Sequence, residues 1–196
     1  MAEQLKTDTQ HEAWLITGIP GVGKSTISRL LAARHPRGAH LEGDVIGGYT
    51  GHFIVSGLVP PGMPPEEESN RQMNLVVRNQ CLLACSFAQH GFVPVIDYVV
   101  VARDRLGRYR SALRSLALHL VVLCPGKDAA IRRNVERGRK SPVAEHWAYL
   151  EDIMIQELSG IGLWVNSLDL TAEATVDHIL HHRDQARLAR TGRGFP

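Results

Sequence analysis

The feature that most constrains this chain is a glycine-rich turn between an apolar segment and an amphipathic one. Residues 18–25 read Gly-Ile-Pro-Gly-Val-Gly-Lys-Ser and match the pattern G-x-x-x-x-G-K-[ST] at every fixed position. Residues 13–17 before it predict a buried strand, and residues 25–34 after it carry apolar side chains at helical spacing. A turn in this context directs backbone N–H groups inward, beside the positive end of the helix dipole. The pattern therefore predicts a phosphate site rather than an ordinary glycine-rich turn.

The same motif assigns roles to its side chains. Lys24 can reach the β- and γ-phosphates of a nucleoside triphosphate, and the hydroxyl of Ser25 can bind Mg²⁺. The sequence thus predicts ATP and Mg²⁺ as the cofactors. The loop residues expected to bind the nucleotide are Gly21, Val22, Gly23, Lys24, Ser25 and Thr26.

Composition excludes several other classes of protein. The chain has 196 residues, 44% hydrophobic and 21% charged, which fits one soluble domain of residues 1–196. Its formal net charge of +2 makes nucleic acid an improbable partner. Three cysteines without C-x-x-C spacing argue against a disulfide scaffold, and no apolar run approaches a membrane span of about 20 residues. We therefore expect a cytoplasmic protein with no membrane partner, either a monomer or a homodimer.

The order of predicted elements indicates the fold class. Near-continuous apolar strands alternate with helices, which predicts an α/β fold of three layers with a five-stranded parallel sheet. The expected strands are residues 13–17, 39–42, 92–100, 118–123 and 162–165. The expected helices are residues 25–34, 70–89, 103–116, 129–137, 143–158 and 171–181, the last with Thr171 as its N-cap. We expect flexible ends at 1–12 and 187–196, an acceptor-side loop at 47–70 and a lid at 138–143.

Two aspartates follow predicted strands, at the sheet edge where open α/β folds bind ligands. Asp97 could hold the Mg²⁺ shell or contact an acceptor hydroxyl, and the sequence does not decide between these roles. Asp44 could accept the proton of an attacking hydroxyl. Glu42 is a weaker candidate, because alternation along its strand is expected to turn it away from the site.

Basic residues after the fourth strand predict the nucleotide side of the site. Arg133 and Arg137 are four residues apart and share a helix face, and Arg139 follows the hinge-forming Gly138. These guanidinium groups could stack on a base or stabilise transferring phosphate, with Arg137 counted among the catalytic residues. Arg103 and Arg105 could grip an anionic substrate. The expected acceptor contacts are Asp44, Arg71, Asn74, Arg78, Tyr98 and Arg103.

With these motifs in order, the chain resembles the small P-loop kinases of the nucleoside-monophosphate-kinase-like group. Similar layouts occur in chloramphenicol phosphotransferase, in zeta-toxin-type kinases and in small kinases labelled AAA family ATPases. Residues 91–100 look like the strand that ends in a functional aspartate in those kinases, and residues 118–139 look like their strand, helix and arginine lid. The resemblance implies that Asp44 is the base and that Arg133 and Arg137 bind the nucleotide. Tyr98 after Asp97, where chloramphenicol phosphotransferase has a second aspartate, is a departure.

These observations predict an ATP-dependent phosphotransferase that acts on a hydroxyl of a small molecule. The resemblance adds an antibiotic or nucleoside-like product as a plausible acceptor. A nucleotide or polynucleotide-end kinase is an alternative, against which the near-neutral charge argues. A nucleotide-dependent switch, or a protein that sequesters a drug without modifying it, is a further alternative.

Overall fold

A computed structural model describes residues 11–49, 65–136 and 147–189. Its centre is a five-stranded, entirely parallel sheet with the strand order β2-β3-β1-β4-β5. The strands are β1 (Glu12–Thr17), β2 (Gly38–Glu42), β3 (Val93–Asp97), β4 (Ala117–Leu123) and β5 (Leu163–Val165). Parallel strands end at one edge of the sheet, so the segments that follow all five strands meet there. The predicted α/β fold with five parallel strands is confirmed.

Helices cover both faces of this sheet. They are α1 (Lys24–Ala33), α2 (Gly43–Gly48), α3 (Pro65–Gln89), α4 (Arg103–Ala112), α5 (Lys127–Glu136), α6 (Leu150–Leu158), α7 (Ala172–His181) and α8 (Arg183–Ala186). Thr171 caps α7 as predicted, because its hydroxyl accepts a hydrogen bond from the backbone N–H of Ala174 at 3.1 Å. Among the described helices, none combines the length and the apolar character needed to cross a membrane.

Strand alternation divides the core into two clusters, one on each face of the sheet. Leu15 of β1 points into a cluster with residues of α2, α3, α4 and α6, and its neighbours Trp14 and Ile16 point into a cluster with residues of α1, α5, α7 and α8. Because β1 is central and buried on both faces, it reads as a continuous apolar run. This position holds the start of the glycine-rich turn rigidly at the middle of the sheet edge.

The third strand is shorter than predicted. Residues 98–100 were expected to continue it, but β3 ends at Asp97. The buried hydroxyl of Thr17 donates to the carbonyl of Val100 at 3.0 Å and accepts from its N–H at 2.8 Å. This side-chain pairing replaces the sheet ladder, so the chain leaves the sheet beside the end of β1. The helix α4 is also shorter than predicted. It ends at Ala112, so residues 113–116, which were expected to be helical, lie beyond it.

The acceptor-side loop is also narrower than the predicted 47–70. Gly47 and Gly48 belong to α2, which was not predicted, and α3 begins at Pro65. Residues 50–64 of the predicted loop lie outside the described residues.

Both ends of the described chain contact the sheet where flexibility was predicted. Glu12 begins β1, and its carboxylate lies 2.7 Å from the guanidinium of Arg183. Arg187 forms an antiparallel bridge with His119, and the N–H of Leu188 donates to the carbonyl of Leu118 at 2.9 Å. Residues 11–12 and 187–189 of the predicted flexible ends therefore have defined contacts, through backbone pairing with β4 and an ion pair. Residues 1–10 and 190–196 lie outside the described residues.

Candidate active site

Three glycines shape the turn after β1. Gly18, Gly21 and Gly23 have φ values of 147°, 92° and 104°, in a region that residues with a Cβ atom rarely adopt. At Gly18 a Cβ would also lie 2.6 Å from the carbonyl oxygen of Leu123 in the neighbouring strand. The loop therefore needs glycine both for its curvature and for its close approach to β4. This is the backbone geometry of an anion nest.

The side chains of the motif lie at the start of α1, which follows the loop directly. Lys24 is the first residue of α1, and its Nζ donates to the carbonyl of Ile19 across the loop at 3.1 Å. Ser25 and Thr26 follow in the same helical turn and are half-buried. No acidic residue occupies this turn to compete for the cation or the helix N-terminus. The cradle, the lysine and the hydroxyl therefore fit a phosphate chain with Mg²⁺.

A cleft of about 340 Å³ opens beside the loop. This volume lies within the roughly 300–1,000 Å³ of small-molecule sites. Its walls come from the loop and α1, from α5 and from the segment that follows β5. The lining includes Val22, Gly23, Thr26, Ile27, Arg133 and Ser167. Four predicted nucleotide contacts, Val22, Gly23, Thr26 and Arg133, therefore line one space beside the phosphate loop.

Arg133 holds two walls of this cleft together. One guanidinium nitrogen lies 3.2 Å from the carbonyl oxygen of Val22, and the other lies 2.6 Å from the carbonyl oxygen of Ser167. Hydrogen bonds from a charged donor each stabilise a structure by about 1.5–3 kcal/mol. Arg133 thus fixes the nucleotide loop against the segment after β5. Arg137, Arg139 and the predicted lid at 138–143 lie outside the described residues.

Asp97 is a buried carboxylate whose two oxygens both have protein partners. Oδ1 accepts a hydrogen bond from the backbone N–H of Gly43 at 3.2 Å, and Oδ2 lies 3.2 Å from Nε2 of His40. The residue is 3% exposed. These contacts connect the end of β3 to the turn between β2 and α2. They describe a residue that positions its surroundings, and the predicted Mg²⁺ or acceptor contact of Asp97 stays a prediction.

Glu42, which alternation was expected to turn away from the site, lies on the same face of the sheet as Asp97. Glu42 pairs directly with Asp97 in the parallel register of β2 and β3. Paired residues of neighbouring strands project to the same face of a sheet, and Asp97 itself pairs with Ile16 of the cluster beneath α1. Glu42 therefore lies on the face covered by the phosphate-loop helix. Counting alternation along β2 alone could not show this, because the answer depends on which face α1 covers.

Asp44 is the second residue of α2 and is exposed. Its helix begins where Gly43 passes the ring of Tyr98: a Cβ on Gly43 would lie 2.3 Å from Cδ2 of that ring. Tyr98 itself is 6% exposed, so its ring packs beneath α2. Burial raises the pKa of Tyr98 to about 12, an effect that the charge of Arg105 opposes and that of Asp44 increases. The charges of Asp44 and Arg105 therefore both act on the Tyr98 phenol.

A buried amide network beneath this edge was not predicted. The side-chain nitrogen of Gln80 donates to the carbonyls of Leu41 and Asp97, at 3.1 Å and 3.0 Å. The hydroxyl of Tyr109 donates to the Gln80 side-chain oxygen and orients the amide. Gln80 thereby joins the carboxyl ends of β2 and β3. A single glutamine on the apolar face of the long helix was the available sequence signal.

Three predicted acceptor contacts lie together in a groove of about 530 Å³ between α3 and α4. They are Arg71, Asn74 and Arg78, and they share the groove with Cys81, Cys85 and Arg108. The lining of this groove, within the described part of the chain, contains no residue of the phosphate loop and does not include Asp44. The structure thus groups these three residues with one another but not with the predicted base.

The two arginines at the start of α4 have different surroundings. The side chain of Arg103 donates to the carbonyl of Glu157 at 2.6 Å, and its backbone N–H lies 3.3 Å from the Glu157 carboxylate. Arg103 therefore connects α4 to the end of α6. Arg105 is half-buried, and its charge acts on the Tyr98 phenol. The predicted acceptor contact of Arg103 stays a prediction, as does the expectation that Arg105 grips an anionic substrate.

Comparisons with solved structures identify proteins of the same fold. The tunicamycin resistance protein of Deinococcus radiodurans superposes with a TM-score of 0.60 at 18% identity, over 92% of this chain and 99% of that one. An unliganded sugar kinase from Janibacter sp. HTCC2649 superposes with a TM-score of 0.62 at 15% identity, over 90% of this chain and 96% of that one. A gluconokinase from Sinorhizobium meliloti 1021 superposes with a TM-score of 0.57 at 14% identity, over 88% of this chain and 94% of that one. The predicted resemblance to small P-loop kinases is confirmed for the fold.

Family comparison identifies the chain itself. A search of curated proteins found no match. A family model described as "AAA domain" matches residues 14–153, more than half of the chain and the part that contains the phosphate loop, Asp44, Asp97 and Arg133. The chain therefore belongs to this AAA domain family of P-loop proteins and has the fold of the small P-loop kinases.

Proposed function

We propose that this protein is an ATP-dependent kinase that transfers the γ-phosphate to a hydroxyl group of a small molecule. The observation that carries the proposal is the phosphate loop, whose three positive-φ glycines and Lys24 lie at the sheet edge where Asp44 also begins its helix. A nucleotide bound there has its phosphates at the loop and its base in the cleft beside Arg133. The terminal phosphate then points along the sheet edge toward the segments that follow β2 and β3.

Each side chain has a defined task in this proposal. Lys24 moves from the carbonyl of Ile19 to the phosphate oxygens, and Ser25 binds Mg²⁺, which offsets phosphate charge when it is bound. Asp44 accepts the proton of the acceptor hydroxyl. The hydroxyl oxygen bonds to the γ-phosphorus as the bond from phosphorus to the bridging oxygen breaks, and ADP leaves. Its exposure suits this role, because a base must reach a substrate that enters from solvent. Asp97 positions the turn before Asp44 through its hydrogen bond with Gly43.

Support for a small acceptor comes from the fold relatives and the charge of the chain. Two relatives are described as a sugar kinase and a gluconokinase, and a third as a tunicamycin resistance protein. A net charge of +2 gives no extended basic surface for a nucleic acid end. We propose a hydroxylated small molecule as the acceptor, with an antibiotic as one class to test. Three free cysteines suit work in a reducing compartment such as the cytoplasm.

A direct test compares variants in two assays. ATP–Mg²⁺ binding is measured by calorimetry, and phosphorylated products from a panel of sugars, sugar acids, nucleosides and antibiotics are detected by mass. Lys24→Met is expected to lose nucleotide binding at least tenfold, while Lys127→Met, on the surface of α5, binds normally. Asp44→Asn is expected to bind ATP within about twofold and to lose 10²–10⁴-fold in turnover, the usual contribution of a general base.

Other results would support different functions. Binding of ATP with slow hydrolysis, and no product from any acceptor, would indicate a nucleotide-dependent switch. Binding of an antibiotic without a mass change would indicate sequestration. If well-folded protein gives no calorimetric signal with ATP or with GTP in the presence of Mg²⁺, the kinase proposal is wrong.

A further inference from the structure

Arg105 is distinctive among the arginines of its own helix. Arg103 donates to the carbonyl of Glu157, Arg108 lies 3.2 Å from the carboxylate of Asp104, and Arg110 donates to the carbonyl of Ala189 at 2.9 Å. Arg105 makes no hydrogen bond or ion pair with any residue in the described ranges 11–49, 65–136 and 147–189. It is nevertheless half-buried. Its guanidinium donors are therefore available to solvent or to a ligand rather than used within the described protein.

The position of Arg105 is fixed by the buried network below it. Tyr109 lies one helical turn further along α4, on the same face, and donates to Gln80. Gln80 in turn donates to the carbonyl of Leu41, one residue before the end of β2, and to that of Asp97, the last residue of β3, so Tyr109 lies near the ends of these strands. Because α4 starts near that edge and runs away from it, Arg105 lies above the strand ends. It therefore lies at the same edge of the sheet as the start of α2, the helix that carries Asp44.

The segment between α2 and α3 contributes no acidic side chain. Residues 50–64, which connect α2 to α3, contain neither aspartate nor glutamate. Asp44 influences the same Tyr98 phenol but forms no ion pair with Arg105 within 4.0 Å. An arginine fork beside the predicted base is suited to hold a planar carboxylate or a phosphate group in two hydrogen bonds.

We propose that Arg105 binds an anionic group of the acceptor, so that the substrate is a hydroxylated carboxylate or phosphate rather than a neutral alcohol. This inference rests on the proposed kinase function and specifies its substrate class. Arg105 holds the anion, and the hydroxyl to be phosphorylated is thereby directed to Asp44. The charge of the anion also compensates the half-buried guanidinium, which gives anionic acceptors an advantage over neutral compounds of the same shape.

The experiment uses the full chain saturated with the non-hydrolysable analogue AMP-PNP and Mg²⁺, so that the phosphate loop is occupied. Inorganic phosphate is then titrated by calorimetry into the wild type, Arg105→Gln and the matched control Arg114→Gln, an exposed arginine just after α4. We expect the wild type and Arg114→Gln to bind phosphate alike, and Arg105→Gln to bind at least tenfold more weakly. Equal phosphate binding by wild type and Arg105→Gln, or none by either, overturns the proposal.

A second arm distinguishes carboxylate from phosphate and separates this proposal from the kinase proposal. Each set of acceptors contains a neutral alcohol, a carboxylate and a phosphate that are closely related in structure. One set is glycerol, glycerate and glycerol 3-phosphate, and further sets consist of a sugar, its sugar acid and its sugar phosphate. We expect one anionic class to have a kcat/KM at least tenfold above its neutral counterpart in the wild type, and Arg105→Gln to lose this preference. Phosphorylation of neutral acceptors with equal efficiency overturns the anion site but leaves the kinase standing. Loss of AMP-PNP binding itself contradicts the kinase proposal, and phosphate binding that depends on Arg105 still decides the anion site.

Discussion

The carboxylate of Asp97 accepts a hydrogen bond from the backbone N–H of Gly43, whose nitrogen lies 3.2 Å from Oδ1. This contact joins the end of β3 to the first residue of the helix that carries Asp44. Asp97→Ala is expected to destabilise the protein by about 1–3 kcal/mol, because it leaves the buried N–H without its acceptor. Urea unfolding measures the loss, and turnover with a working acceptor should fall because Asp44 is no longer held in place.

A surface aspartate serves as the control for this variant. Asp104 lies in α4, and its carboxylate is exposed beside Arg108. Asp104→Ala should change the free energy of unfolding by no more than about 0.5 kcal/mol, as is usual for exposed ion pairs. Equal stability of the two alanine variants would show that the contact between Asp97 and Gly43 contributes little.

Gly43→Ala tests the close approach of α2 to the sheet edge. The new methyl group would lie 2.3 Å from the ring of Tyr98 and 2.8 Å from the carbonyl oxygen of Asp97, so the helix or the ring must shift. We expect a loss of about 1–3 kcal/mol in stability and lower turnover, with unchanged ATP affinity because the phosphate loop is not touched. Thermal unfolding and calorimetry measure these quantities.

Gly48 provides a matched control in the same helix. A Cβ at Gly48 meets no atom within 4 Å, so Gly48→Ala should be neutral or slightly stabilising. If Gly43→Ala and Gly48→Ala have the same melting temperature and turnover, the packing of Tyr98 against α2 is not a constraint on the site.

The phosphate loop and the strands were predictable because their signals are local. Residues 18–25 match a motif in which each fixed position has its own physical reason, and the apolar runs of the strands need no knowledge of their partners. The helix α2 was not predictable, since three of its six residues are glycine and its local propensity opposes a helix. Contacts with α3 and with Tyr98 hold it instead.

Side-chain assignments at the site were less accessible for a related reason. Arg103 and Arg105 are two positions apart and look alike in the sequence, but only the packing of α4 decides that Arg103 meets Glu157 and that the charge of Arg105 acts on Tyr98. Glu42 and Asp97 became neighbours through strand register, which alternation within one strand does not specify. The features that were not predicted are therefore those that depend on strand register and on helix orientation, which local sequence does not specify.

Arg133 is expected to contribute both to the shape of the cleft and to nucleotide affinity. Arg133→Gln removes the charged hydrogen bonds to the carbonyls of Val22 and Ser167, at 3.2 Å and 2.6 Å. We expect ATP to bind about tenfold more weakly, measured by calorimetry, with a smaller change in the melting temperature. Arg132, the exposed neighbour on α5, is the control, and Arg132→Gln should bind ATP normally. If Arg133→Gln and Arg132→Gln bind ATP with equal affinity, the nucleotide does not occupy the cleft beside Arg133.

Stability should depend on pH through histidines at the amino end of the sheet. His119 is buried, stacks on Trp14 with ring centroids 4.4 Å apart, and lies 3.8 Å from the carboxylate of Glu12. Burial lowers the pKa of His119, a shift that Glu12 opposes and that Arg183 and Arg187 increase. Burial likewise lowers the pKa of His35. The unfolded chain therefore takes up protons before the folded protein as the pH falls through about 6.5.

The sign of the effect follows from this difference in proton uptake. Stability should be nearly constant between pH 8 and 7 and should fall as the pH drops from about 6.5 to 5.5, with a slope of up to about 1.4 kcal/mol per pH unit for each histidine. Urea unfolding at each pH measures this slope. The pH range lies above the usual pKa of carboxylates, so carboxylate titration does not contribute to it. His119→Phe keeps a ring against Trp14 but cannot take up a proton, so its stability should decline less steeply than that of the wild type. A wild-type profile that is flat to pH 5.5, or identical slopes in the two proteins, would show that His119 is not linked to folding in this way.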